Sequence, residues 1–283
     1  MKIGVITDCF KQGTEGGIRT AAELGMSGVQ IYATQGEFSP EGLSEADIER
    51  YRAMLSECGL VVSALCGDMG GHGFEIAKDN PARVEKTKRI IDLAVKFGAK
   101  VVTTHIGVIP SDPEEEQYKV MLSALRECGD YAASCGVTMA IETGPEIAPV
   151  LSRFVNDAGD GIGVNLDPAN FVMVTGQDPA EAVRLLGKKI VHTHLKDGVM
   201  LKKTDPKIIY GHFAEAGIEG LNVADYFLET PVGEGHVNWD EYIAALKEIG
   251  YDGFLTIERE TGPDPRADIE LAKSFIVAKG VLN

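Results

Sequence analysis

Short runs of apolar, often β-branched residues alternate along this chain with longer stretches in which apolar residues recur every three or four positions. The first pattern predicts buried β-strands and the second predicts amphipathic α-helices. The predicted strands are Lys2–Thr7, Gly28–Ala33, Leu60–Leu65, Ala99–His105, Val137–Glu142, Ile162–Asp167, Lys189–Leu195 and Gly253–Glu258. The predicted helices are Gly16–Leu24, Ser44–Cys58, Pro81–Phe97, Asp112–Cys135, Ala148–Ala158, Pro179–Leu186, Asn238–Ile249 and Arg266–Lys279.

This strict alternation predicts an α/β fold, a single (β/α)8 TIM barrel that spans residues 1–283 as one domain. A doubly wound open sheet is the alternative. The one long irregular stretch is a loop at about 197–237, between the seventh strand and its helix, with a possible short helix at Val223–Leu228. Loops of this length are usually functional or disordered. We interpret this one as an active-site flap or as a contact surface in an oligomer.

Charge and composition narrow the class of function. The chain has 27 basic and 43 acidic residues, a formal net charge of −16, which disfavours binding to nucleic acid or to an anionic membrane surface. The five cysteines are odd in number and form no CxxC pair, which fits reduced thiols in a cytoplasmic protein. No signal peptide is recognisable, and no stretch approaches the roughly 20 apolar residues of a membrane span.

Four chemically active residues fall at the ends of consecutive predicted strands. They are Glu142, Asp167, His194 and Glu258. Active sites of TIM barrels form at the carboxyl ends of the strands, so residues far apart in sequence meet there. A single acid at a strand end is more often solvated or a helix cap. Three carboxylates and one imidazole together predict a site for one divalent cation, with Mn²⁺ expected first and Mg²⁺, Co²⁺ or Zn²⁺ as alternatives.

Other polar residues lie near the same predicted mouth. His105 ends the fourth strand and is a candidate to bind a sugar hydroxyl or relay a proton, with a core position as the alternative. His72, on a glycine-rich loop, is a candidate to reach the site. His192 precedes His194 by two residues, so the period-two alternation of a strand places it on the same face, one layer deeper. Lys207 lies on the long loop and could bind an anion, although a solvated position is the alternative.

Several segments resemble one family of barrels. They are AIETG at 140–144, GVNLDPANF at 163–171, HTHLKD at 192–197 and GEGHVNWDEYIAALKEIGYDGFLTIERE at 233–260. In these segments the chain resembles the xylose isomerase-like TIM barrels, which include sugar phosphate isomerases/epimerases, inosose dehydratases and AP endonucleases. The resemblance implies one divalent metal held by Glu142, Asp167, His194 and Glu258. It also implies a carbohydrate substrate.

The departures from the subfamily patterns are informative. His72 and His105 resemble two histidines of the three-zinc endonuclease site, but Asn170 stands where a third would fall, so a trinuclear site is not expected. In the free-ketose 3-epimerases the matching positions hold a histidine and an arginine, whereas here they are Asn170 and Met200. The HTHLKD segment is closer to the inosose-dehydratase and general isomerase branches, in which Lys196 would approach the substrate oxygens.

The resemblance and the residue set together predict a metal-dependent sugar or sugar phosphate isomerase/epimerase. Glu142 and Glu258 would flank the substrate and exchange a proton next to its carbonyl, through a metal-stabilised enediolate. An inosose dehydratase-like reaction or a keto-sugar lyase shares this first step and is the runner-up. A non-catalytic metal- or sugar-binding subunit is the alternative of a different class. The predicted partner is a small carbohydrate, and a homo-oligomer is a family-level expectation.

Overall fold

The structure is a computed structural model that describes residues 1–282. Its strands are β1 (Lys2–Ile6), β2 (Gly28–Tyr32), β3 (Val61–Cys66), β4 (Val101–Thr104), β5 (Thr138–Glu142), β6 (Ile162–Leu166), β7 (Ile190–Leu195), β8 (Asp197–Met200), β9 (Phe227–Thr230) and β10 (Phe254–Ile257). Its helices are α1 (Gly13–Glu23), α2 (Glu45–Glu57), α3 (Asn80–Phe97), α4 (Glu116–Ser134), α5 (Ala148–Ala158), α6 (Pro168–Asn170), α7 (Pro179–Leu186), α8 (Pro206–Ala214), α9 (Trp239–Glu248) and α10 (Pro265–Ala278).

Eight of these strands close into a parallel barrel in the order β1-β10-β7-β6-β5-β4-β3-β2. The first and last barrel strands pair directly, with Lys2 opposite Phe254 and Val5 opposite Ile257. The (β/α)8 prediction is therefore confirmed, and the open-sheet alternative is wrong. The main hydrophobic core lies between the strands and the surrounding helices. Of the helices within residues 1–282, none combines the length and the apolar character needed to cross a membrane.

Local sequence signals set the helix boundaries. The Ser44 hydroxyl accepts a hydrogen bond from the Asp47 backbone N–H, and the Asp47 carboxylate accepts one from the Ser44 N–H. This capping box satisfies two donors that the first turn of α2 would otherwise leave unpaired. Helix α3 ends where Gly98 adopts φ 72°, a left-handed conformation that glycine adopts without strain. Helix α4 begins at Glu116, four residues later than the predicted Asp112, because residues 112–115 form a turn flanked by bends.

The stretch between β7 and α9 is more ordered than its sequence indicated. We call residues 197–237 the inserted segment. Strands β8 and β9 pair in antiparallel fashion, with Asp197 opposite Thr230 and Met200 opposite Phe227, and helix α8 lies between them. The expectation of an irregular loop is therefore wrong. The possible helix at Val223–Leu228 shrinks to a 3-10 turn at Val223–Asp225, because residues from Phe227 onward join β9.

Candidate active site

The barrel brings the four predicted metal-binding residues together. Glu142 ends β5, Asp167 follows β6, His194 lies in β7 and Glu258 follows β10. One side-chain nitrogen or oxygen from each lies within 4.8 Å of the others. All four side chains are buried, with 8% or less of their surface exposed. Residues separated by more than 100 positions in sequence therefore form one compact acidic cluster around an imidazole. We call these four residues the metal cluster, after the single cation that they could hold.

The atoms at the centre of this cluster face one another without bonding. His194 Nδ1 lies 3.5 Å from Glu142 Oε1, 3.5 Å from Asp167 Oδ2 and 2.8 Å from Glu258 Oε2. Even so, His194 Nδ1, Asp167 Oδ2 and Glu258 Oε2 are buried and make no hydrogen bond. Buried polar atoms normally find partners, so several orphaned electron-pair donors aimed at one point fit a cation at that point.

The remaining atoms of these side chains are held by the protein. Asp167 Oδ1 accepts hydrogen bonds from the N–H groups of Ala169 (2.7 Å) and Asn170 (3.2 Å), at the start of α6. The Asn165 amide donates to Glu142 Oε2 at 3.2 Å. Asp167 and Glu142 therefore each have one oxygen anchored and one turned towards the centre, the arrangement expected of a ligand oriented by its surroundings.

The ring of His194 is oriented in the same way. Its Nε2 lies 3.2 Å from Gln30 Oε1 and 3.1 Å from the Asn165 amide nitrogen, and these contacts hold the ring with Nδ1 turned towards the three carboxylates. Burial by itself lowers the pKa of His194, but the charges of Glu258 and Glu142 outweigh it and raise that pKa well above its usual value. The cluster therefore attracts positive charge strongly, and its donor set suits a divalent metal.

His192 occupies the layer below, as its spacing predicts. Its Nε2 lies 3.0 Å from Gln30 Oε1 and 2.9 Å from Thr256 Oγ1, and the side chain is 1% exposed. Burial and the neighbouring His194 lower the pKa of His192 to about 3, which keeps its ring neutral. Gln30 thus supports both rings from beneath the metal cluster.

Of the predicted substrate-binding residues, Lys196 and His105 lie beside the cluster. Lys196 Nζ lies 3.3 Å from Glu258 Oε2 and 2.7 Å from Glu260 Oε2. Burial lowers the pKa of Lys196, but the charges of Glu258 and Glu260 raise it well above its usual value, so the side chain is charged. His105 Nε2 lies 3.6 Å from Glu142 Oε1, and the half-buried ring faces the cavity above the metal cluster.

Asn170 and His72 are placed further from the metal cluster. The Asn170 amide donates to the Thr143 carbonyl at 2.9 Å, so it braces the loop after β5 while also lining the cavity. His72 lies at the rim, where its Nε2 is 2.6 Å from Glu215 Oε1 just beyond α8. Neither residue belongs to the four-residue metal cluster.

A cavity of about 700 Å³ opens above the metal cluster. Helix α8 forms part of its wall, with Tyr210 packed edge to face on His105 at 5.9 Å between ring centres. Glu260 lines the same cavity. The volume lies within the range of about 300–1,000 Å³ that is typical of small-molecule sites.

The sequence reading missed Gln30, Asn165, Tyr210 and Glu260. Asn165 precedes Asp167 by two residues, so the strand periodicity that placed His192 would have placed it too. Tyr210 was missed because its helix was not recognised. The signal was present: Asp205 followed by Pro206 is the same Asp–Pro start that opens α7 and α10, and the Asp205 side chain accepts from the Lys207 N–H.

Comparison with known proteins gives the same fold. The family described as "Xylose isomerase-like TIM barrel" matches residues 18–277. An uncharacterised protein, MJ1311 of Methanocaldococcus jannaschii, is 27% identical over 68% of this chain and 62% of its own length. An inosose dehydratase of Clostridium botulinum is 22% identical over 56% of this chain and 52% of its own length. The chain thus spans about three fifths and one half of these two relatives.

A third curated relative and several solved structures extend the comparison. A 2-oxo-tetronate isomerase of Haemophilus influenzae is 25% identical over 68% of this chain and 67% of its own length. A xylose isomerase domain protein from Planctomyces limnophilus superposes with a TM-score of 0.78 at 26% identity, covering 99% of this chain and 96% of that one.

Two further structures contain metal ions. An IolI protein with bound zinc has a TM-score of 0.74 at 18% identity, covering 98% of this chain and 97% of that one. A xylose isomerase-like TIM barrel protein from Mycobacterium smegmatis, in complex with magnesium, has a TM-score of 0.70 at 21% identity, covering 100% and 98%. At these identities the likeness concerns the fold.

Proposed function

This chain belongs to the xylose isomerase-like TIM barrel family, and from that premise we propose that it is a divalent-metal-dependent sugar isomerase or epimerase. The observation that carries the proposal is the set of orphaned atoms at the barrel mouth. His194 Nδ1, Asp167 Oδ2 and Glu258 Oε2 are buried, unbonded and mutually close, which fits a shared cation. Curated relatives include a 2-oxo-tetronate isomerase and an inosose dehydratase, both of which act on small polyhydroxy compounds.

The roles of the metal-binding side chains follow from their surroundings. Asp167 and His194 are fixed by α6 and Gln30, so they would hold the metal. Glu142 and Glu258 come from strands three places apart in the ring and border the cavity. A bound divalent cation would supply positive charge that polarises a substrate carbonyl and acidifies the neighbouring C–H. We assign proton removal and return to Glu142 and Glu258, one on each side of the substrate.

The identity of the metal is part of the proposal. Three carboxylates and one imidazole are a mainly hard set of donors, which favours Mn²⁺, with Mg²⁺, Co²⁺ and Zn²⁺ as alternatives. We place His105 and Lys196 as substrate contacts, because both border the cavity beside the metal cluster.

A dehydration or lyase reaction is the second candidate. It starts from the same proton removal and then expels a hydroxyl from the next carbon. Lys196 favours it, because a buried, charged ammonium group 3.3 Å from Glu258 would stabilise the negative charge that develops on a departing oxygen. The inosose dehydratase relative points in the same direction.

Hydrogen exchange tests the proposal. Metal-loaded protein is incubated in D₂O with ketoses, ketose phosphates and inososes, and the proton next to the carbonyl is followed by NMR. We expect deuterium at one carbon, and the identity of the product then separates epimerase, isomerase and dehydratase. Exchange with none of these compounds, with stoichiometric metal bound, would contradict the proposal and favour a binding role.

Substitution of the two bases is the matched test. Glu142→Gln and Glu258→Gln keep the side-chain size but remove the base, so each should slow exchange by at least about 100-fold. Glu49→Gln, at an exposed position of α2, is the control and should exchange at the wild-type rate. Circular dichroism checks that the fold survives. Wild-type exchange in either base variant would overturn the assignment.

A further inference from the structure

The cavity above the metal cluster has two unlike walls. One is formed by Glu142 and Glu258 of the metal cluster together with Lys196 and Glu260. The other is formed by apolar side chains from the turn after α6 and from the inserted segment. We call the second the apolar wall; its members are Met173, Val174, Ile209, Phe213 and Phe227. Because both walls border one continuous cavity, a single ligand that fills it touches both.

The apolar wall is built outward from a packed base. Met173 and Val174 are buried in a small hydrophobic cluster against which Tyr210 and Phe227 pack. Phe213 continues this surface outward, with its ring 6.5 Å from that of Tyr210 in an edge-to-face arrangement. Phe213 is nevertheless 56% exposed, which is high for a phenylalanine at a site. Covering a surface of this kind with an apolar group is favourable, because apolar area is removed from water.

Sugar hydroxyls do not suit this wall. The side chains of Met173, Ile209 and Phe213 offer no strong hydrogen-bond donor or acceptor. A hydroxyl pressed against them would lose its bonds to water without replacement, which is unfavourable. A simple sugar, in which the carbon atoms carry hydroxyl or carbonyl groups, would therefore fill the charged half of the cavity and leave the apolar wall uncovered.

The charge of the lining disfavours an anionic group. Beyond the metal cluster, the lining includes the carboxylates of Asp68, Glu75 and Glu260. The lysine nearest the metal cluster, Lys196, is already in contact with Glu260 and Glu258. Within residues 1–282 the lining contains no arginine, the side chain best suited to a phosphate, and Lys207 is its only other lysine. A phosphate or carboxylate on the substrate would meet more negative charge than positive charge.

We propose that the substrate is an uncharged keto sugar bearing an apolar substituent, with the sugar at the metal cluster and the substituent on the apolar wall. The proposal rests on the proposed function, since it takes the metal cluster as the place where the carbonyl binds. It makes the inserted segment the part of the chain that selects the substrate. The contact of the substituent is the same before and during proton transfer, so it should lower KM and leave kcat nearly unchanged.

The test compares three forms of each of several hexuloses with metal-loaded enzyme. The forms are the free sugar, its 6-phosphate and its 6-O-benzyl ether, so the carbonyl and its neighbouring hydroxyls stay the same. Deuterium exchange gives kcat and KM for each. We expect kcat/KM of the benzyl ether to exceed that of the free sugar by about tenfold, through KM, the scale of a modest apolar contact. The 6-phosphate should be the poorest form.

Two substitutions on α8 sharpen the result. Phe213→Ala removes the exposed ring of the apolar wall and should bring the ratio of benzyl ether to free sugar close to one. Ile208→Ala is the control, because Ile208 is 43% exposed on the same helix but does not line the cavity, so the ratio should stay at the wild-type value. The ratio is read within each variant, which removes any general loss of activity.

Three outcomes would overturn the inference. A free sugar or phosphate preferred over the benzyl ether, with exchange observed, would refute the inference and leave the proposed function standing. A Phe213→Ala variant with an unchanged ratio but weaker self-association in sedimentation would assign the apolar wall to a second copy of the chain. Exchange with no form of any hexulose, with metal bound, would contradict the proposed function, and the inference would fall with it.

Discussion

The metal cluster and the outer part of the inserted segment are built in opposite ways. Glu142, Asp167, His194 and Glu258 are buried on strand ends, and hydrogen bonds or backbone pairing hold them in place. By contrast, across residues 201–228 only Ile209 is buried. A segment with so few buried contacts opens locally at low cost. Under the proposed function, the chemistry would take place on the rigid barrel, and residues 201–228, which we call the cover, would select the substrate.

The base of the inserted segment belongs with the barrel. The Asp197 carboxylate accepts hydrogen bonds from the N–H groups of Gly198, Gly233 and Val237 and from Trp239 Nε1. Glu229 of β9 pairs with Arg259, the residue directly after Glu258, at 2.7 Å between Glu229 Oε1 and Arg259 Nη1. These bonds fasten both strands of the segment, so the contrast lies between its base and its outer part.

The largest effect should come from a proposed metal ligand. Asp167→Asn keeps an oxygen to cap α6 but removes the negative charge at the centre of the metal cluster. We expect Mn²⁺ affinity to fall by at least about 100-fold, and activity to be lost with it. Titration calorimetry measures the affinity, with Asp130→Asn, at an exposed site on α4, as the control. Wild-type Mn²⁺ affinity in Asp167→Asn would contradict the proposal that the metal cluster binds the cation.

The second-largest effect tests how the base of the inserted segment is attached to the barrel. Arg259→Met leaves Glu229 buried without its charged partner, so we expect the free energy of unfolding to drop by about 3 kcal/mol. Chemical denaturation measures it. Arg184→Met breaks an exposed pair with Glu248 and should change nothing measurable. The double variant Arg259→Met/Glu229→Gln should recover part of the loss. An Arg259→Met variant as stable as wild type would mean that the base is not held through this pair.

A smaller effect should follow from Gly144→Ala. A Cβ at Gly144 would overlap the hydroxyl of Tyr210, which can swing away because it is the end of a side chain. We expect little change in global stability but several-fold faster proteolysis within residues 201–226, since α8 loses its contact with the barrel. Gly211→Ala, where a Cβ meets only ordinary contacts, is the control. An unchanged rate of proteolysis in Gly144→Ala would mean that Tyr210 does not hold α8 against the barrel.

The smallest effect concerns pH. The hydrogen bond to Glu215 raises the pKa of His72 above its usual 6.5, so the pair favours the protonated ring. Its contribution is complete below the unfolded-state pKa of about 6.5 and is lost as the pH rises through the folded-state value. Proteolysis of residues 201–226 should therefore quicken about two- to threefold across that range, the scale of an exposed pair. The same rise in His72→Gln would exclude this pair as the cause.

Sequence alone was enough to bring the four residues of the metal cluster together on the barrel, although it did not single out Gln30 and Asn165, which support them. Each metal-binding residue follows an apolar run whose end a barrel places at one mouth, so Glu142 and Glu258 could be joined without knowing the structure. The cover could not be read in this way. Its contact of Tyr210 with His105, like that of Glu229 with Arg259 at the base of the inserted segment, joins distant residues that share no periodic pattern. Its one buried residue, Ile209, gives no amphipathic face to recognise.

Anomalous diffraction from crystals of the Mn²⁺-loaded protein tests the central claim most directly. The account predicts one strong peak at the barrel mouth, about 2.0–2.4 Å from His194 Nδ1, Asp167 Oδ2 and oxygens of Glu142 and Glu258. A mouth without a peak at saturating Mn²⁺, or a peak coordinated by other residues, would contradict it.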